Sequence, residues 1–215
     1  MDLSSLTGIC DKIRQRFDQK DQAREKGLTL SREMIRNSAN AIRAVHRQEF
    51  EDALRLMEAN DRLLEEINRE LGPHPDIYFA GFVNDAQKES AEARITYALI
   101  RREPLPDPDD LKVGYAAYIN GMGEAVGEMR RYALDHIRHS DISWGEEVLS
   151  AMDDIYYAMA SFDYPPAISG NVKRTADVTR SIIEKTRGDI TNAIRQQRLE
   201  QALQKAEGRT HKAEG

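Results

Sequence analysis

The wide spacing of helix-breaking residues is the feature that most constrains how this chain can fold. Only 13 glycines and 7 prolines occur in 215 residues. Most of them lie in a few short segments, so the stretches between carry no strong stop signal. Long amphipathic helices are therefore the expected units. We predict an all-α protein, a long antiparallel bundle of about six to seven helices.

Stop signals and apolar periodicity place the helices at about 3–46, 48–71, 76–102, 111–139, 143–163 and 170–206. The fifth helix is predicted to start at a capping box formed by Ser143 and Glu146. Since the connections are short, neighbouring helices are expected to run antiparallel. We predict one domain over 1–206 and a flexible tail at 207–215.

Charge and cysteine content restrict the class of protein. Thirty-one basic against 37 acidic residues give a net charge of −6, which argues against nucleic acid covering the whole surface. Cys10 is the only cysteine, so an internal disulfide is excluded. We see no export signal and no apolar run of about 18 residues. A cytoplasmic protein with no membrane partner is expected.

Acidic side chains recur at helical spacing on the third and fourth predicted helices. Asp85, Glu89 and Glu92 share one face, and Glu124 and Glu128 lie four residues apart. A chain this acidic contains about six acid pairs at any fixed spacing by chance, mostly on solvated faces. Each pair alone is therefore explained by surface charge.

The position of the two pairs favours a shared site. Counted from the connection between the two helices, they lie at similar depths of roughly 18 and 22 Å. Small residues surround them, and Gly123 and Gly127 each cost the helix about 1 kcal/mol relative to alanine, which suggests a steric requirement. We therefore predict that the two pairs face each other.

Four converging carboxylates need a cation to remain ionised together. Oxygen-only ligands suit Mg²⁺ or Mn²⁺. A ferritin-like di-iron centre is disfavoured, since none of the five histidines follows a glutamate by three residues. His136 and His139 could bind a metal, but a favourable interaction with the helix C-terminal dipole explains them more simply.

A basic ridge follows the first helix. Together with Asn40, its arginines lie within an arc of about 80°, opposite an apolar face; they are Arg32, Arg36, Arg43 and Arg47. No acid occurs from Met34 through Gln48, as in faces that bind phosphate. An ordinary solvated face is the alternative. Because aromatic residues are absent nearby, we do not expect sequence-specific base recognition.

Several segments together resemble the translin family, and most closely its archaeal members related to translin-associated factor X (Trax). They are REMIR and AIRAVHR within 32–47, KESAEA at 88–93, YINGMGEAVGEMR at 118–130, and Thr186-Arg187-Gly188. The resemblance implies an octameric all-α shell that holds RNA on its inner surface. It also implies a metal-dependent endoribonuclease site formed by Glu89, Glu92, Glu124 and Glu128. Glu124 stands where Trax commonly has aspartate.

We therefore predict a Mg²⁺- or Mn²⁺-dependent endoribonuclease in which these four glutamates are catalytic metal ligands. The four ridge arginines would bind the RNA backbone, and the protein would be a homo-oligomer with an octamer-like shell. One alternative is a non-catalytic translin-like protein that binds RNA or single-stranded DNA. A further alternative is a helical structural or dimerisation module.

Overall fold

The computed structural model describes the backbone of residues 3–213 and the side chains of residues 3–206. Eight helices and no strands occur in this part of the chain. The helices are α1 (Leu6–His46), α2 (Phe50–Leu71), α3 (Pro75–Tyr78), α4 (Phe82–Arg101), α5 (Tyr115–Arg138), α6 (Gly145–Ala160), α7 (Pro166–Ser169) and α8 (Val172–Ala213). Six are long, and α3 and α7 are single turns. The predicted all-α bundle is confirmed.

The first helix, α1, continues through Gly27 for 41 residues without a break. It packs antiparallel to α2: the Asn60 side-chain amide donates to the Met34 carbonyl (3.1 Å) and to the Ser38 hydroxyl (2.9 Å). At the other end of the pair, a Cβ added at Gly27 would lie 2.8 Å from Leu71 Cδ1. Gly27 therefore permits close packing of the two helices.

Two helix starts differ from the sequence-based expectation. The predicted helix 76–102 is split, since α3 ends at Tyr78 and Gly81 has a φ of +107°, a left-handed conformation that favours glycine. The predicted capping box is wrong. Trp144 occupies the N-cap of α6 without a side-chain cap, and the Ser143 hydroxyl donates to Asp141 Oδ1 (2.7 Å) instead.

The relative direction of α4 and α5 is the main departure from the predicted antiparallel arrangement. The N–H of Gly114, just before α5, donates to Gln87 Oε1 near the start of α4 (3.0 Å). At the opposite ends, the Arg102 guanidinium stacks on Trp144, 3.6 Å from the ring centroid, just beyond the end of α5. The two helices are therefore parallel, whereas α1–α2 and α5–α6 are antiparallel as expected.

The connection 102–114 explains this direction. Residues 103–107 contain two of its prolines and run without helix, as proline favours, and turns at 108–112 then lead into α5. The segment returns from Arg102 to the level of Gln87, about 22 Å along α4 at 1.5 Å per residue. The Tyr118 hydroxyl donates to the Pro106 carbonyl (2.6 Å) and fixes the returning segment against α5. The predicted depths of the two acid pairs assumed a short turn between antiparallel helices, and that arrangement is wrong.

The last long helix, α8, completes the bundle beside α5 and α6. Its Thr175 hydroxyl donates to Asn120 Oδ1 of α5 (2.7 Å), and its Arg187 forms an ion pair with Asp153 of α6 (2.8 Å). The helix extends to Ala213. The flexible tail predicted at 207–215 remains a prediction, because those side chains and the last two residues lie outside the described part.

Apolar side chains remain exposed along the first half of α1. We call them the α1 apolar stripe; the side chains are Leu6, Ile9, Ile13 and Phe17, between 46% and 67% exposed. No helix within residues 3–213 has the combination of length and apolar character needed to cross a bilayer.

Glycines on α5 allow it to approach its neighbours, but not at every position. A Cβ at Gly121 would lie 2.6 Å from the Lys88 carbonyl oxygen of α4, and one at Gly123 would lie 2.5 Å from Thr175 Cγ2 of α8. At Gly127 a Cβ would meet no described atom within 4 Å. The predicted steric requirement therefore holds at Gly123 and fails at Gly127, while Gly121 forms the tightest contact with backbone.

Gly121→Ala is expected to destabilise the protein by about 1–3 kcal/mol, because the new methyl group collides with backbone that cannot rotate away. Gly127→Ala is the matched control and should gain up to about 1 kcal/mol from helix propensity. Urea denaturation followed by circular dichroism measures both changes. Equal stability changes in the two variants would contradict the packing described at Gly121.

Candidate metal centre and basic ridge

Three of the four predicted acids meet between α4 and α5. Glu89 and Glu92 lie on α4 and Glu124 on α5, and one carboxylate oxygen from each falls within 4.8 Å of the others. It is the only such group of three metal-ligating side chains among the described residues. Asp85, on the same face of α4, is exposed and is not part of it. The parallel packing of α4 and α5 brings the group together.

The fourth predicted acid, Glu128, is held separately by a histidine. The imidazole Nε2 of His46, on α1, donates to Glu128 Oε2 at 2.6 Å, and Arg131 lies 3.6 Å from the same oxygen. The hydrogen bond from His46 lowers the pKa of Glu128. The His46 side chain is only 4% exposed. Glu128 therefore borders the three-acid group as a carboxylate fixed by its own partner.

Glu92 is the most deeply placed of the three acids. It is buried, and it has no hydrogen bond or ion pair with any side chain among the described residues. Burial, followed by the charges of Glu89 and Glu124, raises the pKa of Glu92 to about 8. Burial also raises the pKa of Glu89. Without a divalent cation, the group therefore retains a proton on Glu92 at neutral pH.

A lysine supplies the cation nearest to the three acids. Lys88 Nζ lies 2.5 Å from Glu124 Oε1 and 3.6 Å from Glu89 Oε1. Burial acts to lower the pKa of Lys88, but these carboxylates outweigh it and raise the pKa above its ordinary value. The ammonium therefore remains charged and partly neutralises the group.

An open pocket of about 420 Å³ lies beside the acids, between α5 and α8. Glu92 and Glu124 line one side, and Arg174 and Thr175 of α8 line another. An anionic ligand entering here would meet a positive side chain opposite the carboxylates. Arg174 lies outside the basic ridge that the sequence predicts.

The ridge arginines Arg32, Arg36, Arg43 and Arg47 are all exposed. Neither Arg32 nor Arg36 forms an ion pair with any residue that the structure describes. Arg43 donates to Asn40 Oδ1 (2.7 Å), and Arg47 pairs with Glu49 (2.6 Å). At least two of the four ridge arginines therefore have no acidic partner in the described chain.

The ridge adjoins the acids through His46. At 100° per residue, His46 lies about 60° around α1 from Arg43. His46, on one edge of α1, thus contacts Glu128, and the arginines of the ridge lie on the adjacent, exposed face of the same helix. A polyanion lying along the ridge would pass next to the carboxylate group.

His136 does not form a metal site in the described structure. Its Nδ1 lies 3.0 Å from Asp141 Oδ2, and the ring belongs to an aromatic cluster with Tyr132 and Trp144. Hydrogen bonds from Ser143 and from His136 hold the pKa of Asp141 down to about 2. This arrangement fits a structural role at the end of α5.

Comparisons with known proteins identify the family. No family model matches the chain. An uncharacterized protein of Methanocaldococcus jannaschii is 30% identical over 191 residues, which span 87% of this chain and 84% of the relative. AfC3PO, solved in complex with duplex RNA, is 33% identical with a TM-score of 0.78, covering 86% of this chain and 95% of that one. C3PO is the translin/Trax complex.

The chain belongs to the translin family. A second structure of AfC3PO gives the same identity and TM-score, with 96% of that chain covered. Apo-NeC3PO also has a TM-score of 0.78, but at 19% identity it supports the fold alone. In this translin-family chain, sequence reasoning missed the contacts of His46 and Lys88. His46 falls at the edge of the predicted ridge, and Lys88 directly precedes Glu89, but neither position reveals its partner on α5.

Glu92→Gln should change how stability depends on pH in the absence of metal. Wild-type Glu92 binds a proton in the folded state up to a pKa of about 8, whereas an unfolded glutamate releases it near pH 4.3. The wild type therefore loses stability as pH rises through this window, and glutamine does not titrate. At about 1.4 kcal/mol per pKa unit, the variant should gain up to about 5 kcal/mol over the wild type by pH 9.

Chemical denaturation in EDTA from about pH 5 to about pH 9 measures this difference. Glu146→Gln, at an exposed position on α6, serves as the control and should follow the wild type. A constant difference between Glu92→Gln and wild type across the series would show that Glu92 is ionised throughout.

Proposed function

We propose that this protein is a Mg²⁺-dependent endoribonuclease of the Trax-like, archaeal branch of the translin family. The observation that carries the proposal is the convergence of Glu89, Glu92 and Glu124 beside an exposed arginine ridge. AfC3PO, 33% identical to this chain, has been solved with duplex RNA, which supports RNA as the ligand of that ridge. Mn²⁺ is the alternative metal.

The donor set fits Mg²⁺ or Mn²⁺. Every candidate ligand is a carboxylate oxygen, the donor that hard divalent cations prefer. Glu92 is buried without a hydrogen-bond partner among the described residues and carries a raised pKa, so a cation would satisfy it. Glu128, already fixed by His46, would add negative charge at the border of the site or a further ligand.

Different residues of the chain have different roles in the proposed reaction. A bound divalent cation supplies Lewis-acid polarisation of the phosphate and activation of water. Glu89, Glu92 and Glu124 would hold it, and Glu92 would have to release its proton to do so. The ridge arginines orient the RNA by its backbone, which predicts little sequence preference. Arg174 faces the carboxylates across the pocket and is placed to contact a phosphate.

Assembly into a homo-oligomeric, octamer-like shell is part of the proposal. The α1 apolar stripe leaves large side chains exposed, which is unfavourable in water unless another surface covers them. A closed arrangement of identical subunits would cover them and place several ridges around one enclosed RNA. The length of RNA protected would then be set by the shell.

A non-catalytic protein that binds RNA or single-stranded DNA is the second candidate. One observation favours it: Lys88 already neutralises part of the acidic group, so the acids could be structural. The two candidates differ in whether RNA is cut when Mg²⁺ is present.

Glu124→Gln should reduce Mg²⁺-dependent cleavage of labelled RNA by at least about 100-fold, because it removes a charged ligand that the reaction needs. RNA binding in EDTA should stay within about threefold of wild type, since the backbone contacts lie on the ridge. Glu146→Gln should cleave normally. Absence of cleavage by the wild type with Mg²⁺ or Mn²⁺, together with tight RNA binding, would establish the second candidate.

Replacing Arg36 and Arg43 together by glutamine should weaken the binding of unrelated RNA sequences to a similar extent. Each lost phosphate contact should flatten the log–log dependence of affinity on salt by roughly 0.7 for single strands and 0.9 for duplexes. Helix content should not change, because glutamine is a good helix former. Binding titrations at several salt concentrations measure the slope.

The matched control replaces Arg62 and Arg195, two exposed arginines on α2 and α8, and removes the same charge away from the ridge. An unchanged slope in the ridge variant would show that the ridge is an ordinary solvated face. The RNA contacts would then have to involve α8, around Lys173, Arg174 and Arg180.

A further inference from the structure

Lys88 lies where a divalent cation would be expected. Its ammonium contacts Glu124 of α5 and Glu89 of α4, two of the three acids whose oxygens lie within 4.8 Å of one another. The Lys88 side chain is only 22% exposed. It is therefore the cation that bridges the acids of the two helices in the absence of metal.

Holding the Lys88 side chain in this position costs free energy, which packing contacts alone do not offset. Fixing a lysine side chain loses up to about 2 kcal/mol of rotamer entropy, and burial weakens its hydration. The contact is still formed because the neighbouring carboxylates would otherwise repel one another. A divalent cation would serve them better, since it carries twice the charge and accepts several oxygen ligands.

We propose that Lys88 is the exchangeable counter-ion of the metal centre: it holds the carboxylates in place without metal, gives way to the divalent cation, and then contacts the scissile phosphate. This inference rests on the proposed function. It assigns Lys88 two successive partners, a carboxylate before metal binding and a phosphate afterwards.

The exchange follows from charge. A divalent cation on Glu89 and Glu124 would repel an ammonium 2.5 Å from Glu124 Oε1, so Lys88 and the metal compete for the same oxygens. The lysine side chain is long and flexible, and it can leave Glu124 while its backbone stays fixed on α4. Once metal neutralises the carboxylates, the ammonium would be free to contact a phosphate of RNA bound at the metal.

Metal binding, measured without RNA, tests whether Lys88 competes with the divalent cation for the carboxylates. Mn²⁺ is titrated calorimetrically into the metal-free full chain, as wild type, Lys88→Met and Lys88→Gln. Removing the competitor should tighten Mn²⁺ binding by about tenfold in both variants, and circular dichroism checks that both are folded. The control Lys26→Met removes another lysine that bridges two acids, Glu66 (3.0 Å) and Glu70 (2.9 Å), away from the site.

The outcomes separate the two proposals. Tighter Mn²⁺ binding in the Lys88 variants, with Lys26→Met unchanged, supports the exchange. Equal or weaker binding in folded Lys88 variants overturns it and leaves the nuclease proposal standing. A wild type that binds no Mn²⁺ at millimolar concentration overturns the metal centre itself, and the exchange with it.

RNA cleavage tests whether Lys88 contacts the scissile phosphate after metal binding. With saturating metal and RNA, the single-turnover rate of Lys88→Met should fall by about 10- to 100-fold, as when one charge-stabilising group is removed from an active site. RNA affinity in EDTA should change by less than about threefold, and Lys88→Arg should restore part of the rate. A wild-type rate in Lys88→Met, or a loss confined to RNA affinity, overturns the phosphate contact.

Discussion

The close approach of α4 and α5 at Gly121 is the packing constraint on which the candidate site depends. A side chain at this position would collide with the Lys88 carbonyl, so only glycine lets the two backbones come this near. At that separation, side chains of ordinary length from both helices reach a common point. Glu124 can then meet Glu89 and Lys88 directly. A wider spacing would leave the same acids as separate, solvated surface charges.

The close approach also makes the acidic group unfavourable for stability. Gathering Glu89, Glu92 and Glu124 in a partly buried space requires a proton, a lysine or a metal to offset their repulsion. The metal-free protein uses the first two: the raised pKa of Glu92 keeps it protonated, and Lys88 contacts the other two acids. A core chosen for stability alone would place apolar residues here. The retained charges are thus most simply understood as serving a ligand.

The sequence could predict the helices and the acids, but not the direction in which two of the helices run. Glycine and proline spacing is a local signal, so the six long helices were found, with ends that differ from the predicted ones by up to seven residues. Direction depends on whether 102–114 forms a turn or an extended return, which its prolines allow but do not determine. Glu89, Glu92 and Glu124 were still correctly expected to meet, since they lie at similar distances from the starts of their helices. The partnership of His46 with Glu128 could not be predicted, because 82 residues separate them.

His46 gives the basic ridge and the acidic group a fixed geometric relation. It belongs to the same helix as the arginines, and its hydrogen bond to Glu128 ties that helix to α5. The relative position of the ridge and the acids is therefore set by packed helices rather than by a loop. Sites built on rigid elements hold their geometry more accurately than sites on loops. If RNA lies along the ridge, the same backbone register would be presented to the acids whatever the base sequence, which fits recognition through phosphates and cleavage with little sequence preference.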